Sequence, residues 1–350
     1  MKVVFLNDSM CGGGAEKAMA NIVNVLAQEM EIDVISLENN FCIPLSPRIR
    51  QHFFHQTITF RWQKLLGLIT DAYRLKTFVK RNGQHTVVSF QYRSNFINII
   101  AKILGSKHRV IVSERNYPKH ALAYLPFFKL LLKKLYPLAD MVICNASDTK
   151  TLLCSEYGLT NVKLIFNGYD KKEILMYANK KIPDKYIKIF KKDVILNIGR
   201  LTEQKGHIYL LQAFAKMAKS YNLVILGEGS LRNKLEKIAQ ELNIEKRVFF
   251  LGYQKNPYSF LKRANVFVFT SLYEGFPNAL SEAIICGVPV ASFDFKAGAN
   301  DLMEKKDLVP IKDITSLVHA IEHAKIREDK TLSIDEVARQ YMGVLMRENI

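Results

Sequence analysis

NVFVFTSLYEGFPNALSEAIICGVPVASFD, residues 265–294, decides the fold class. An apolar run from Val266 to Phe269 ends at Thr270 and Ser271, a Gly-Phe-Pro turn occupies 275–277, a stretch of helical apolar period reaches Cys286, and a second apolar run, VPVASFD, follows at 288–294. Strand, helix and strand in that order, bounded by turn residues, are the repeating unit of a parallel sheet with covering helices. Pro277 suits a helix start. The turn carries Glu274 and the helix Glu282, with seven residues between the two carboxylates.

The pattern extends outward from there. Upstream stand VILNIGR (194–200), NLVILGEG (222–229) and RVFFLGY (247–253). Further back lie KVVFL (2–6), IDVISL (32–37), TVVSF (86–90), RVIVSE (109–114), MVICNA (141–146) and VKLIFNG (162–168), each followed by a turn or helix signal. A chain of 350 residues exceeds the usual single-domain size. The expected fold class is α/β, with two Rossmann-like doubly wound domains facing a central cleft. The expected domains are residues 1–170, a Lys-rich linker without a strand at 171–192, a second domain at 193–334, and a C-terminal helix at 335–350 crossing back to the first. Ligands of open α/β sheets bind beyond the carboxyl ends of the strands.

The net charge is +17, from 50 Lys and Arg against 33 Asp and Glu. Residues 61–134 carry fifteen of the basic residues and only Asp71 and Glu114 as acids, a local excess of +13. Such a surface selects an anionic partner, either nucleic acid or a lipid headgroup layer. FRWQKLLGLITDAYRLKTFVKR (60–81) and YLPFFKLLLKKLYPLAD (124–140) mix apolar spacing with Lys and Arg. They fit an interfacial helix or a core helix with a solvated face. Five cysteines (11, 42, 144, 154, 286), without a Cys-x-x-Cys, read as a reduced, cytosolic chain. The N-terminus has too few apolar residues for a signal peptide, and no stretch reaches the length of a membrane span, so any membrane attachment is expected to be peripheral.

Three stretches carry chemistry. CGGGAEK (11–17) lets backbone N–H groups approach an anion at a helix start. A merely tight strand-to-helix turn is the alternative, and Lys17 breaks the dinucleotide G-x-G-x-x-G frame. GRLTEQKG (199–206) holds Arg200 and Lys205 on one loop, a clamp for a diphosphate or simply two solvated cations. Glu274 and Glu282 stand at different depths beyond one strand, suited to hydroxyls on either side of that diphosphate.

The stretch E-G-F-P-N-A-L-S-E-A-I-I-C-G-V-P-V resembles the E-x7-E signature of the retaining, GT-B-fold glycosyltransferases of family four. GRLTEQKGHIYLLQAF, LVILGEGSLRNKLEKIAQELNIEKRVFFLGYQKNP and GGGAEKA resemble that family's other motifs in the same order, with the bacterial surface-polysaccharide and lipid-linked-glycan branch nearest. The resemblance implies a nucleotide-sugar donor, a UDP-sugar before others, and an acceptor glycan carried on a lipid at the inner face of the cytoplasmic membrane. No cofactor and no metal are implied, and the chain has no Asp-x-Asp. Arg200 and Lys205 would neutralise the diphosphate and Glu274 would face the transferred sugar. Gly275, Phe276, Pro277, Asn278 and Leu280 would line the donor, with N–H groups of the 275–279 turn along its hydroxyls. Glu282 would hold the ribose, Gly252, Tyr253 and Gln254 would frame the base, and Gly13 and Gly14 would approach the phosphates and acceptor, with domain 1–170 binding the acceptor and domain 193–334 the nucleotide-sugar.

Where many relatives carry a sugar-contacting histidine, this chain reads SERNYPKH (113–120), leaving Glu114, Arg115, Asn116 and His120 as candidates, with Arg115 and Asn116 first by position. A nucleotide-sugar epimerase or a phosphorylase is the alternative enzyme on this architecture. A basic nucleic-acid binder or a non-catalytic scaffold is the alternative outside catalysis, and nucleic acid is not the expected partner, because no RNA-binding signature appears.

Overall fold

The structure, a computed structural model, describes residues 1–55, 61–83, 85–123 and 125–346, and the side chains of 61–66 fall outside the description. Seven strands, β1 (Lys2–Asn7), β2 (Glu31–Glu38), β3 (Arg50–His55), β4 (Thr86–Phe90), β5 (Arg109–Glu114), β6 (Met141–Cys144) and β7 (Val162–Leu164), form one sheet in the order β3-β2-β1-β4-β5-β6-β7. Every pairing is parallel; Val3 faces Ile32 on one side and Thr86 on the other. The chain starts at the centre, winds out to β3 and returns to β4, so the switch in winding falls between β1 and β4. Alternate residues of β1 feed two cores: Val4 and Leu6 join Val87, Phe96 and Leu132, while Val3 and Phe5 join Met19, Val23 and Phe90. Burial on both faces explains why β4 is wholly buried and reads as a continuous run.

After β8 (Gly168–Tyr169) the second sheet is built from β9 (Asp193–Ile198), β10 (Tyr221–Leu226), β11 (Val248–Gly252), β12 (Val266–Phe269), β13 (Val290–Phe293) and β14 (Leu308–Val309). Its order is β11-β10-β9-β12-β13-β14, all parallel, with the winding switch between β9 and β12. The 265–294 stretch is the crossover β12, helix Asn278–Ile285, β13.

The chain divides into Met1–Tyr169 with the segment from Leu332 onward, and Asp170–Thr331. Residues 171–192 are therefore folded into the second unit. Helix Lys171–Ala178 packs on helices Tyr258–Leu261 and Asn278–Ile285. Tyr186 and Phe190 set their rings 5.8 and 5.9 Å from Phe260, and Asn222 donates to the Ile189 carbonyl at 2.8 Å. Lysines on the outward faces had masked these apolar anchors in the sequence. β15 (Leu332–Ser333) pairs with β8, and helix Ile334–Leu345 opens on a capping box between Ser333 and Glu336. That helix buries Val337, Tyr341 and Val344 in the core shared with helix Gly14–Leu26. A Cβ on Gly168 would stand 2.9 Å from the Ile334 Cα, which holds this position to glycine.

Cys11 and Cys42 form a disulfide, with 4.8 Å between their Cα atoms, so the expectation of five free thiols does not hold. The cause is tertiary. The loops after the neighbouring strands β1 and β2 are bridged at Met10 and Phe41, with Cys42 N–H donating to the Met10 carbonyl at 3.1 Å. Among the described residues no helix is long and apolar enough to cross a membrane.

Candidate functional site

Beyond the carboxyl ends of β9 and β12, the 199–206 loop and the 270–278 loop are stitched together. Leu272 N–H donates to the Gln204 carbonyl at 2.8 Å, Gln204 Nε2 to the Tyr273 carbonyl at 2.8 Å, and Thr270 Oγ1 to the Lys205 carbonyl at 3.0 Å. Gly206, at φ +63°, turns the loop where a Cβ would overlap the Thr270 carbonyl. Gly227, at φ +134°, does the same against the Gly199 carbonyl. Only glycine satisfies both the backbone angle and the close approach.

This stitching fixes the charged groups. Lys205 Nζ is ion-paired with Glu274 Oε1, both largely buried, and sits 5.6 Å from the Phe269 ring centre. Gln204 Nε2 also lies 3.4 Å from Glu274 Oε2. Arg200, on the same loop, is exposed, and its guanidinium has no hydrogen bond or ion pair to the protein among the described residues. One cation is thus spent holding Glu274 in place and the other faces solvent with its five donors available. Beneath them His207 is buried with neither ring nitrogen partnered, and burial together with the Lys205 charge pushes its pKa down to about 4.

The remaining residues expected along the donor fall on the same edge, with two differences. Gly275 and Asn278 are half-buried and Phe276 and Pro277 buried at the start of the helix, while Leu280 is fully buried and offers no side chain to a ligand. The Asn278 N–H donates to the Phe276 carbonyl at 3.0 Å, so it drops out of the row of N–H groups expected from 275 to 279. Glu282 is half-buried and accepts from Tyr258 Oη at 3.1 Å. Gly252 stands at φ +72°, Tyr253 is 78 % exposed, and Gln254 Nε2 donates to the Leu251 carbonyl at 2.6 Å. Sequence reasoning missed Gln204, Thr270 and Tyr258; the first lies inside a motif read only for its cations.

The first unit presents a different edge. Gly13 and Gly14 stand at the start of helix Gly14–Leu26, but the third residue of that helix, Glu16, folds its carboxylate back over Gly13, where a Cβ would overlap Oε2. The expected anion seat is filled by the chain's own acid, the position a capping glutamate takes. Gln91, after β4, donates from Nε2 to Glu16 Oε1 at 2.7 Å. Its backbone lies at φ +69°, ψ 156°, a region essentially reserved for glycine that costs on the order of 1–3 kcal/mol. Asp8 accepts from the Ser94 N–H at 3.1 Å and from Ser94 Oγ at 2.5 Å.

The candidates on 113–120 separate. Arg115 is buried and fully engaged: Nε donates to Ser113 Oγ at 2.8 Å, Nη1 to Asn167 Oδ1 at 2.7 Å and Nη2 to Tyr341 Oη at 2.5 Å, with the guanidinium 4.6 Å from the Phe90 ring centre. It ties the last helix to β5 and is not a sugar contact. Asn116 is half-buried, its N–H donating to Glu114 Oε1 at 3.0 Å, and His120 is exposed, its ring 5.5 Å from that of Tyr117. Glu114 is fully buried, accepts from Tyr136 Oη at 2.8 Å, and has its pKa pushed up to about 7 by burial.

Comparison with known proteins places both halves of the chain in one enzyme class. The family description "Glycosyltransferase Family 4" fits residues 12–173 and "Glycosyl transferases group 1" fits 178–341. A Campylobacter jejuni N-acetylgalactosamine-N,N'-diacetylbacillosaminyl-diphospho-undecaprenol 4-alpha-N-acetylgalactosaminyltransferase is 29% identical over 92% of this chain and 89% of its own. An Escherichia coli UDP-Gal:alpha-D-GlcNAc-diphosphoundecaprenol alpha-1,3-galactosyltransferase is 30% identical over 55% of this chain and 52% of its own. Among solved structures, the Anabaena protein HepE in complex with UDP and glucose has a TM-score of 0.79 at 19% identity, covering 99% of this chain and 100% of its own. With two consecutive parallel-sheet units, each matched by its half of the family, the chain belongs to the family-four glycosyltransferases of GT-B fold.

Proposed function

We propose that this glycosyltransferase is a retaining, metal-independent enzyme that moves a hexose or N-acetylhexosamine from a nucleotide-sugar, a UDP-sugar before others, to a hydroxyl of a lipid-linked oligosaccharide or related surface glycan. The observation that carries the reading is the pairing of an unpartnered Arg200 with a Lys205–Glu274 ion pair on one glycine-turned edge. In this reading Arg200 and Lys205 meet the donor diphosphate charge. Glu274 accepts from a hydroxyl of the transferred sugar and Glu282 from the ribose. The acceptor oxygen forms a bond to the sugar's anomeric carbon on the face from which the diphosphate leaves. The acceptor proton passes to the departing diphosphate oxygen, so charge builds on the leaving group where the two cations stand. Preorganised charge of that kind is worth about 100-fold or more in rate per group.

The lipid-linked acceptor is supported by the names of the relatives, whose substrates include diphospho-undecaprenol glycans. A surface suited to the inner face of the membrane is present in the first unit. Both acids of the basic 61–134 segment are buried, Asp71 against Arg93 at 2.8 Å and Glu114 against Tyr136, leaving the exposed charge of the described part uniformly positive. Helix Pro126–Leu135 exposes Phe127 and Leu130 at 48 % and 53 %, beside exposed Lys129, Lys133 and Lys134. Apolar tips among lysines suit an interfacial helix on anionic lipid. Of the other stretch named for this role, Phe60 lies outside the described residues, as do the side chains of 61–66.

Calorimetry with UDP, GDP and ADP, in chelator and then with divalent metal, tests the donor reading. UDP binding in chelator that is lost in Arg200→Ala is expected; binding only with added metal overturns the metal-independent part. Sedimentation with anionic vesicles tests the surface: release by high salt is expected, and no attachment at low salt overturns it.

A further inference from the structure

Helix Ile314–Glu322 buries Leu317 and Ile321 in the core of the second unit. His319 and His323, each two residues further on and so about 200° round the axis, are exposed on the opposite face. They stand one turn apart, and their rings meet with centroids 4.1 Å apart and planes inclined at 35°. His323 Nδ1 lies 2.9 Å from the His319 carbonyl. A carbonyl only accepts, so Nδ1 carries the proton and the lone pair stands on Nε2. The ring of His319 makes no hydrogen bond to the protein among the described residues.

Three features make this pair a ligand set. Spacing by one turn puts two imidazoles where a single ion can take a nitrogen from each. The Nδ1–H bond to a backbone carbonyl is the arrangement that fixes the tautomer and ring of a metal-bound histidine, and it leaves Nε2 for the ion. His323 is also the C-cap residue, at the end of the helix whose partial charge is negative and favours a cation. Imidazole suits Zn2+, Ni2+ and Cu2+, whereas Mg2+ and Ca2+ take oxygen. Among the described residues no group of three or more His, Cys, Asp and Glu side chains is placed to hold a metal ion, so the protein offers two ligands and water completes the shell.

We propose that His319 and His323 form a two-imidazole site for a late first-row divalent ion, Zn2+, Ni2+ or Cu2+. The site stands apart from the donor edge. The helices covering a parallel sheet run back against its strands, and the chain after this helix reaches the start of β13, where the Val290 N–H donates to the Lys325 carbonyl at 3.1 Å. Lys205 and Glu274 lie beyond the opposite, carboxyl ends of β9 and β12. An ion held by the pair therefore takes no part in the transfer step, and the inference does not rest on the donor reading.

Calorimetry of Zn2+, Ni2+ and Mg2+ against the full chain without reductant tests it, in a Cys154→Ser background that removes the exposed free thiol, with electron paramagnetic resonance of added Cu2+ as a second readout. Uptake of about one Zn2+ or Ni2+ per chain is expected, without uptake of Mg2+, and Cu2+ should show coupling to imidazole nitrogen. His319→Ala and His323→Ala should each weaken Zn2+ and Ni2+ binding roughly tenfold or more, because the second imidazole binds as an intramolecular ligand. His85→Ala, which removes an exposed histidine of the first unit, should leave it unchanged. UDP affinity should stay within about twofold in both pair variants, with or without Zn2+, since the pair shares no partner with the donor edge. Undiminished metal binding in both variants overturns the proposal, as does a chain with the pair intact that takes up neither Zn2+ nor Ni2+. UDP affinity that follows either histidine overturns the separation from the donor edge. A protein that binds Zn2+ through the pair and ignores UDP leaves the inference standing and removes the donor assignment instead.

Discussion

The two sheets are wound alike and end in opposite chemistry. At the switch of the first sheet, glycine 13 makes room for the chain's own carboxylate and the groups left over are hydrogen-bond acceptors. At the switch of the second, glycines 206 and 227 make room for neighbouring backbone, and the group left over is a guanidinium. A glycine-rich turn after a strand therefore does not identify an anion site. What decides is whether the following helix supplies its own acid, as Glu16 does and the His207–Ala215 helix does not.

The contrast can be broken most directly at its charged members. Arg200→Ala is expected to lower the transfer rate by about 100-fold or more with no change in melting temperature, because the side chain is exposed and unpartnered. An active Arg200→Ala would dissolve the asymmetry between the edges. Lys205→Ala should lose activity and stability together, since Glu274 is left buried without its partner at a cost of about 1–3 kcal/mol or more in denaturant titration. A variant as stable as wild type would mean that the pair forms only weakly.

Smaller changes sharpen the backbone side of the comparison. Gly227→Ala is expected to cost about 1–3 kcal/mol through its φ of +134° and its overlap with the Gly199 carbonyl, whereas Gly12→Ala meets only its own φ of +77°, with no atom within 4 Å. Equal losses at both would show that angle alone matters.

The two units should also respond to pH with opposite sign. Glu114 in the first unit has its pKa raised from 4.5 to about 7, so its folded form binds more protons and its contribution falls as pH rises through that window. His207 in the second is lowered from 6.5 to about 4, so there the unfolded chain binds more protons and stability falls as pH drops from 6.5 toward 4. Glu114→Gln should flatten the first trend and leave the second; stability profiles of the two proteins that run parallel from pH 5 to 7 would contradict the burial effect. The least disruptive check concerns the disulfide. Alkylation in denaturant without reductant should modify Cys144, Cys154 and Cys286 alone, and modification of all five cysteines would return the chain to the reduced state read from its sequence.

Much of the fold was legible because parallel strands buried on both faces are continuous apolar runs, and because their order alternates with helical periods. The 265–294 stretch alone announced the crossover, and Glu274, Arg200 and Lys205 were named from motif and position. The short strands Arg50–His55 and Leu308–Val309 went unread. The first is an edge strand with no fully buried residue, only Phe54 packing on the core, and the second is two residues long. The sequence also could not say that Arg115 is spent on Tyr341, since the two are separated by 226 positions and meet only when the last helix packs on the first unit.

By itself the sequence determined the fold class and the residue types at each strand end, because those depend on local period and spacing, and the resemblance of its motifs pointed to the family. Tertiary structure alone decided which cation is free and which is paired, that Cys11 meets Cys42, that residues 171–192 belong to the second unit, and that Gln91 sits strained beside Glu16. The physical reason is common to all four. Each outcome depends on which loops from different strands arrive at the same sheet edge, and on whether burial there leaves a polar group satisfied or open, and neither is written in any one segment of the chain.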